Sequence, residues 1–279
     1  MILGLVSNCW RTQLLDGGDL VELIDEAMRR GYRAVELRQT CLGQFETNDE
    51  HVPIADALAE LPSRFPAIRF NIAINVPCLN PDMKADDSLF QAARLAAFAV
   101  SGEFPPHLRL VDLTTVGGQL DGLSPESSGP VVAQLARSMV EFDGLLSIEN
   151  SLQPWDWFRR VFDCARGELG SESGRLKMCY DPCNLLMPDD DVDPLEVTDS
   201  LSATELSMVH FKQRRAGQIY PALSDGDIDW TGQVSCLNRK QYTGAALFEV
   251  EPHKRVWEYL KGSVEYLRRA GLDVAAEIG

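Results

Sequence analysis

The chain alternates short apolar runs with amphipathic segments, and it does so about eight times. The apolar runs are Ile2–Val6, Ala34–Leu37, Ile68–Ile72, Leu108–Leu113, Leu145–Glu149, Lys177–Asp181, Met208–Phe211 and Ala246–Val250. Most are continuous and about five residues long, as strands buried on both faces should be. Between them, Leu20, Leu23, Ile24, Ala27 and Met28 recur at helical spacing. Asp19 with Glu22 forms a capping pair at the start of that helix, and Gly31 stops it. Val131, Leu135, Ser138 and Met139 predict a second helix, and Val256, Tyr259, Leu260, Val264 and Leu267 predict the last. The pattern places further helices over 53–61, 87–100, 153–168, 192–201 and 231–239. Strand followed by helix, repeated in this way, predicts an α/β fold: a (β/α)₈ TIM barrel, with residues 1–279 as one domain. Gly17-Gly18 lacks the rest of a dinucleotide fingerprint, and no phosphate-loop motif occurs.

Charge narrows the partners. There are 26 Lys and Arg against 42 Asp and Glu, a net charge of −16. A surface this acidic repels polyanions, so neither nucleic acid nor an anionic membrane is an expected partner. No apolar run approaches membrane-spanning length. Met1–Val6 is too short for the apolar core of a signal peptide. The seven cysteines are an odd number and sit inside apparent strands and helices, which predicts buried, reduced thiols. The expectation is a cytoplasmic enzyme. The acidic run Asp189–Asp193 reads as a solvated loop.

In a parallel barrel the chemistry sits at the C-terminal ends of the strands. The fifth strand ends in Glu149-Asn150, the sixth in Asp181, the seventh in His210-Phe-Lys212, and the eighth in Glu249-Val-Glu251. Four successive strands thus deliver a carboxylate or an imidazole at one height. Three converging carboxylates repel one another, and burying unpaired charge is costly. One divalent cation held by Glu149, Asp181, His210 and Glu249 resolves both problems. The set is rich in hard oxygen donors, which suits Mn²⁺ first, then Mg²⁺ or Co²⁺, and Zn²⁺ also fits. About two positions would stay open for neighbouring oxygens of a hydroxy-ketone. The metal would then stabilise an enediolate as a carbon-bound proton leaves. Glu249 and Glu251 share parity; Glu249 closes the apolar run, and Glu251 fits the rim.

The order Glu, Asp, His, Glu on strands five to eight resembles the xylose isomerase-like barrel superfamily of ketose 3-epimerases, inosose dehydratases, hydroxypyruvate isomerases and 3-dehydroshikimate dehydratases. Gly31-Tyr-Arg-Ala-Val-Glu36-Leu-Arg38, Gly226-Asp-Ile-Asp229-Trp230 and Ser263-Val-Glu-Tyr-Leu-Arg268 resemble it too. The resemblance implies that Glu149 and Glu249 are both ligands and the acid–base pair. It implies that Asp181 and His210 are ligands only, and that Lys212 with Arg214 or Arg215 binds substrate oxygens or a phosphate. A homo-oligomer is in keeping with it. One position departs from the epimerase pattern: Asn184 stands where those enzymes carry a histidine, and Asn cannot titrate near neutrality.

Further candidate substrate contacts are Trp10, whose face suits a sugar, and Glu36 and Arg38 at the end of strand two. Asn71 and Asn75 read as loop-forming, and Trp155 and Trp157 as the packed start of a helix. Cys179 and Cys183 lack the close pairing of structural zinc sites and read as packing. The leading function is a metal-dependent isomerase or epimerase of a small sugar or keto-polyol. A dehydratase on the same scaffold is the alternative, since both begin by removing a proton beside a carbonyl. A DNA-repair barrel would need many histidines and a basic face; this chain has four His. A non-catalytic binding barrel would keep its ligand after metal removal.

Overall fold

A computed structural model describes residues 1–114, 120, 122–188 and 191–273. The first two residues of the acidic run at 189–193 therefore lie outside the described residues.

Eight strands form the barrel wall: β1 (Ile2–Val6), β2 (Ala34–Arg38), β3 (Arg69–Asn75), β4 (His107–Val111), β5 (Leu145–Glu149), β6 (Leu176–Tyr180), β7 (Leu206–Phe211) and β8 (Ala245–Phe248). All neighbours are parallel, and β1 pairs with both β2 and β8, so the sheet closes. This is the (β/α)₈ barrel that the periodicity predicts. The strand centres match the apolar runs, and the ends differ by at most three residues. The ladder stops at Tyr180 and Phe248, so Asp181 and Glu249 stand just past their strands. Glu249 N–H still donates to the Phe211 carbonyl at 3.1 Å, which holds it in line with the wall.

The helices fall where amphipathic spacing puts them: Leu20–Arg29, Ser88–Ala99, Pro125–Arg137, Trp155–Leu169, Pro194–Ser200, Trp230–Arg239 and Val256–Arg269. Asp19 accepts from Val21 N–H at 2.6 Å and Gly31 takes φ 90°, so both helix-end signals operate. The segment expected at 53–61 is instead two single turns, Ala55–Leu58 and Leu61–Arg64. Pro62 explains the break, since it has no N–H to continue the first turn and fits at the start of the second.

Side chains alternate across each strand, and the two faces meet different surroundings. Outward residues such as Leu3, Leu5, Val35, Leu37, Phe70 and Ile72 pack under the helices in the main core. Inward residues form a separate, smaller cluster: Val6, Ala34, Cys179, Met208, Ala245 and Leu247. At Gly4, also inward by parity, a Cβ would lie 2.3 Å from the Ala34 carbonyl oxygen, so only glycine lets these strands approach. The rest of the lumen, on β2 to β5, is polar: Glu36, Asn71, His107, Arg109, Ser147 and Glu149 are all buried. The seven cysteines are free thiols, and all but Cys164 are buried. No helix among the described residues is long and apolar enough to cross a membrane.

His107 marks the floor of the polar half. Its Nε2 lies 2.8 Å from Ser147 Oγ. Burial, with help from Arg69, pushes its pKa down from 6.5 to about 3. A base whose folded pKa is depressed binds its proton more readily when unfolded. Its contribution is therefore complete above the unfolded value and is lost as pH falls from 6.5 toward about 3. Metal-free protein should lose about 1.4 kcal/mol per pH unit more than His107→Gln between about pH 6 and pH 4.5, by urea denaturation. Equal slopes in the two proteins would rule this out.

Candidate metal centre

Glu149, Asp181, His210 and Glu249 come together at the C-terminal mouth of the barrel. All four are buried, and one ligand atom from each lies within 4.8 Å of the others. Backbone register explains the convergence. Inward positions on β5 to β8 rise in step, from Glu149 beside Cys179 to Leu247 beside His210. His210 Nδ1 sits 3.3 Å from Glu149 Oε1 and 3.4 Å from Glu249 Oε2. It is buried, yet it makes no hydrogen bond among the described residues. A buried imidazole nitrogen that makes no hydrogen bond and is aimed between two carboxylates is the donor geometry a cation requires.

The carboxylates are each anchored on one side. Asp181 Oδ1 accepts from the backbone N–H of Cys183 at 2.8 Å and of Asn184 at 3.2 Å, leaving Oδ2 for the mouth. Asn150 clamps the ends of β5 and β6: its amide donates to the Asp181 carbonyl and accepts from Asp181 N–H, at 2.8 and 2.9 Å. Glu149 Oε2 pairs with Arg109 at 2.7 Å, and its Oε1 accepts from Asn184 Nδ2 at 3.1 Å. Lys212 Nζ donates to Asp181 Oδ2 at 3.0 Å, to Glu249 Oε2 at 2.8 Å and to Asn184 Oδ1 at 3.2 Å.

Electrostatics follow from this crowding. Burial opposes ionisation of Glu249, but Lys212 and His210 outweigh it and hold the carboxyl well below its usual range. Burial likewise opposes the Lys212 charge, and Asp181 and Glu249 reverse it, so the ammonium keeps its proton far above the ordinary lysine range. Asp181 is pushed up by burial, with Lys212 working against the rise. The mouth is a place where negative charge is concentrated and positive charge is stabilised.

Beneath the mouth lies a polar support that the sequence reading did not identify. Arg109 is fully buried in β4 and bridges Glu36 and Glu149. Asn71 is also buried within β3, rather than in a loop, and donates to Glu36 Oε2 at 2.7 Å. Glu36 Oε1 lies 3.5 Å from His210 Nε2, and Cys179 Sγ lies 3.3 Å from the same nitrogen. His210 is thus held from below on one nitrogen while the other faces the mouth. One signal for Arg109 existed: a lone arginine inside His107-Leu-Arg-Leu-Val111 must find a buried partner.

Three expected substrate contacts sit elsewhere. Glu36 has both oxygens engaged below the mouth, by Arg109 and Asn71, because β2 carries it one layer deeper than Arg38. Trp10 is wholly buried and packs its ring against Trp257 at 5.9 Å, so it belongs to the core. Arg215 is exposed on the hairpin of Arg214–Arg215 and Gln218–Ile219, and its guanidinium donates to Ser224 Oγ and the Asp225 carbonyl. Arg214 is likewise tied down, to Asp227 and the Leu186 carbonyl. Lys212 and Asn184 border the four-residue cluster. Glu251 is exposed.

No protein-family model matches the chain, and no curated protein does. Solved structures do. The IolI protein, solved with a bound zinc atom, superimposes over 100% of this chain and 99% of its own, with a TM-score of 0.70 at 13% identity. A xylose isomerase domain containing protein from Salmonella typhimurium covers 96% of this chain and 97% of its own, with a TM-score of 0.65 at 15% identity. The shared feature is the fold, a closed (β/α)₈ barrel over the whole chain. A probable 3-DHS dehydratase, AsbF from Bacillus anthracis, shares this barrel over 96% of the chain and 99% of its own, with a TM-score of 0.64 at 13% identity. A D-tagatose 3-epimerase-like protein does so over 98% and 100%, with a TM-score of 0.63 at 12% identity. At these identities the likeness is one of barrel architecture alone.

Proposed function

We propose that this protein is a divalent-metal-dependent isomerase or epimerase of a small sugar or keto-polyol. The observation that carries the reading is the convergence of Glu149, Asp181, His210 and Glu249, with a His210 Nδ1 that makes no hydrogen bond set between the two glutamates. Glu149, Asp181, His210 and Glu249 would hold the ion, manganese first among the candidates. When bound, such an ion polarises a carbonyl and its neighbouring hydroxyl and so acidifies the C–H bond between them. The zinc in the IolI structure and the epimerase and dehydratase neighbours are in keeping with this chemistry.

The remaining work falls to the chain's own groups. Glu149 and Glu249 flank His210, from strands β5 and β8. A substrate carbon between them can lose a proton to one carboxylate and regain one from the other, which inverts that carbon. Loss and return on the same carboxylate, to the adjacent carbon, isomerises the sugar instead. Arg109 and Lys212 each pair with one of these glutamates and keep both correctly aimed. Asn184, between Glu149 and Lys212, offers an amide to a substrate hydroxyl without exchanging a proton.

The test has two parts. Dialysed protein should take up one manganese ion per chain, measured by elemental analysis. Loaded protein should then exchange a carbon-bound hydrogen of a ketose or keto-polyol with deuterium from solvent, read by NMR. Exchange with loss of water assigns the dehydratase alternative. Failure to bind any divalent ion eliminates both.

A further inference from the structure

We infer that the substrate carries an anionic terminus, a carboxylate or a phosphate, and that Arg38 receives it. The inference rests on the metal-dependent reading above and specifies its substrate class. Arg38 closes β2, two residues beyond Glu36, with its backbone N–H donating to Ser7 Oγ at 2.9 Å. Side chains two apart on a strand share a face. Glu36 points into the lumen toward Arg109 and His210, so Arg38 points into the layer above, at the mouth. Its charge acts on the Glu249 carboxylate and, together with that of exposed Arg11, on the Cys41 thiol.

Charge balance makes Arg38 conspicuous. Four buried carboxylates line the site and its support: Glu36, Glu149, Asp181 and Glu249. Arg109 pairs with Glu36 and Glu149, and Lys212 with Asp181 and Glu249. These two cations with one divalent ion leave the set neutral. Arg38 is not among the cations that neutralise these four. Among the described residues its guanidinium has no ion pair and no side-chain hydrogen bond, whereas Arg214, Arg215 and Arg109 are all engaged. It is half-buried, which weakens screening by solvent. A planar, unengaged guanidinium beside a neutralised site is a receptor for an oxyanion. It would hold one end of a chain whose reacting carbon lies between Glu149 and Glu249.

Three matched probes separate the possibilities: D-glucitol, which is uncharged; D-gluconate, which ends in a carboxylate; and D-glucitol 6-phosphate. Calorimetry on the manganese-loaded protein should show at least one anion binding about tenfold to a hundredfold tighter than glucitol, as expected for a charge-assisted pair. The stronger of the two anions identifies the terminus. Arg38→Gln should bring all three within about twofold of one another, with metal content and melting temperature unchanged. Equal binding of the three probes to the wild type overturns the inference. So does a preference for the anion that survives in Arg38→Gln, because the carboxylate or phosphate would then be held by the ion or by Lys212. Protein that cannot be loaded with manganese, cobalt or zinc overturns the metal-dependent function itself, whereas loaded protein indifferent to ligand charge overturns only the role of Arg38.

Discussion

Arg109→Leu should destabilise the barrel by about 3–5 kcal/mol, because it leaves the buried Glu36 and Glu149 carboxylates without their shared counter-ion. Arg109 and Glu36 are 1% and 0% exposed, so water cannot take over the lost interaction. Leucine fills part of the volume but returns none of the charge. Burial raises the Glu36 pKa, and Arg109 and His210 together reverse this and hold it well below the ordinary range. Without Arg109 only His210 opposes burial, so the folded pKa rises from that low value. The sign of the pH effect follows. A carboxyl whose folded pKa is raised is penalised when ionised, so the defect should be greatest near neutrality and should ease as pH falls through the raised value. Urea denaturation at several pH values measures this. Adding Glu36→Gln to Arg109→Leu should recover part of the loss at neutral pH, since it removes one of the two stranded charges. A single variant that loses less than about 1 kcal/mol would mean that the network is not a structural support.

Glu249→Gln should lower turnover by about 10²- to 10⁴-fold, the usual share of a positioned proton-transfer group. Glutamine keeps the length of the side chain and can still accept from Lys212. It cannot take a proton from carbon. Lost metal would mimic that result, so metal content must be measured on the same sample and saturation ensured with excess manganese. Under those conditions the deuterium exchange of the substrate C–H should fall with turnover, since both depend on the same proton. Exchange at the wild-type rate in metal-saturated Glu249→Gln would remove Glu249 from the proton-transfer role and leave it as a ligand. Glu149→Gln also removes the ion pair with buried Arg109, so its effect on activity is expected to be accompanied by lost stability.

Much of the architecture is legible in the linear pattern. A strand buried on both faces leaves an apolar run, and a helix over a barrel leaves a stripe at 3.6 spacing. β1 and β5 coincide with their runs, Ile2–Val6 and Leu145–Glu149, residue for residue. The four residues of the candidate centre are legible for the same reason: they interrupt or end apolar runs at a common height. The boundaries after Tyr180 and Phe248 were not legible, because a ladder ends where a neighbour stops pairing, which is a property of two segments. The broken helix near Pro62 was a local signal that the periodicity masked.

Local sequence, then, determined the repeating strand–helix order, the buried faces, and which acids and imidazole stand at the strand ends, because each depends on residues close in the chain. Only the tertiary structure decided the partners. Glu36 is separated by 73 residues from Arg109, with which it shares a buried ion pair, and Lys212 by 37 from Glu249. Closure of the sheet placed Glu36 under the mouth instead of in it, and left Arg38 without an ion pair among the described residues. The physical reason is that the cost of a buried charge depends on what stands within a few ångströms, and chain distance carries no record of that.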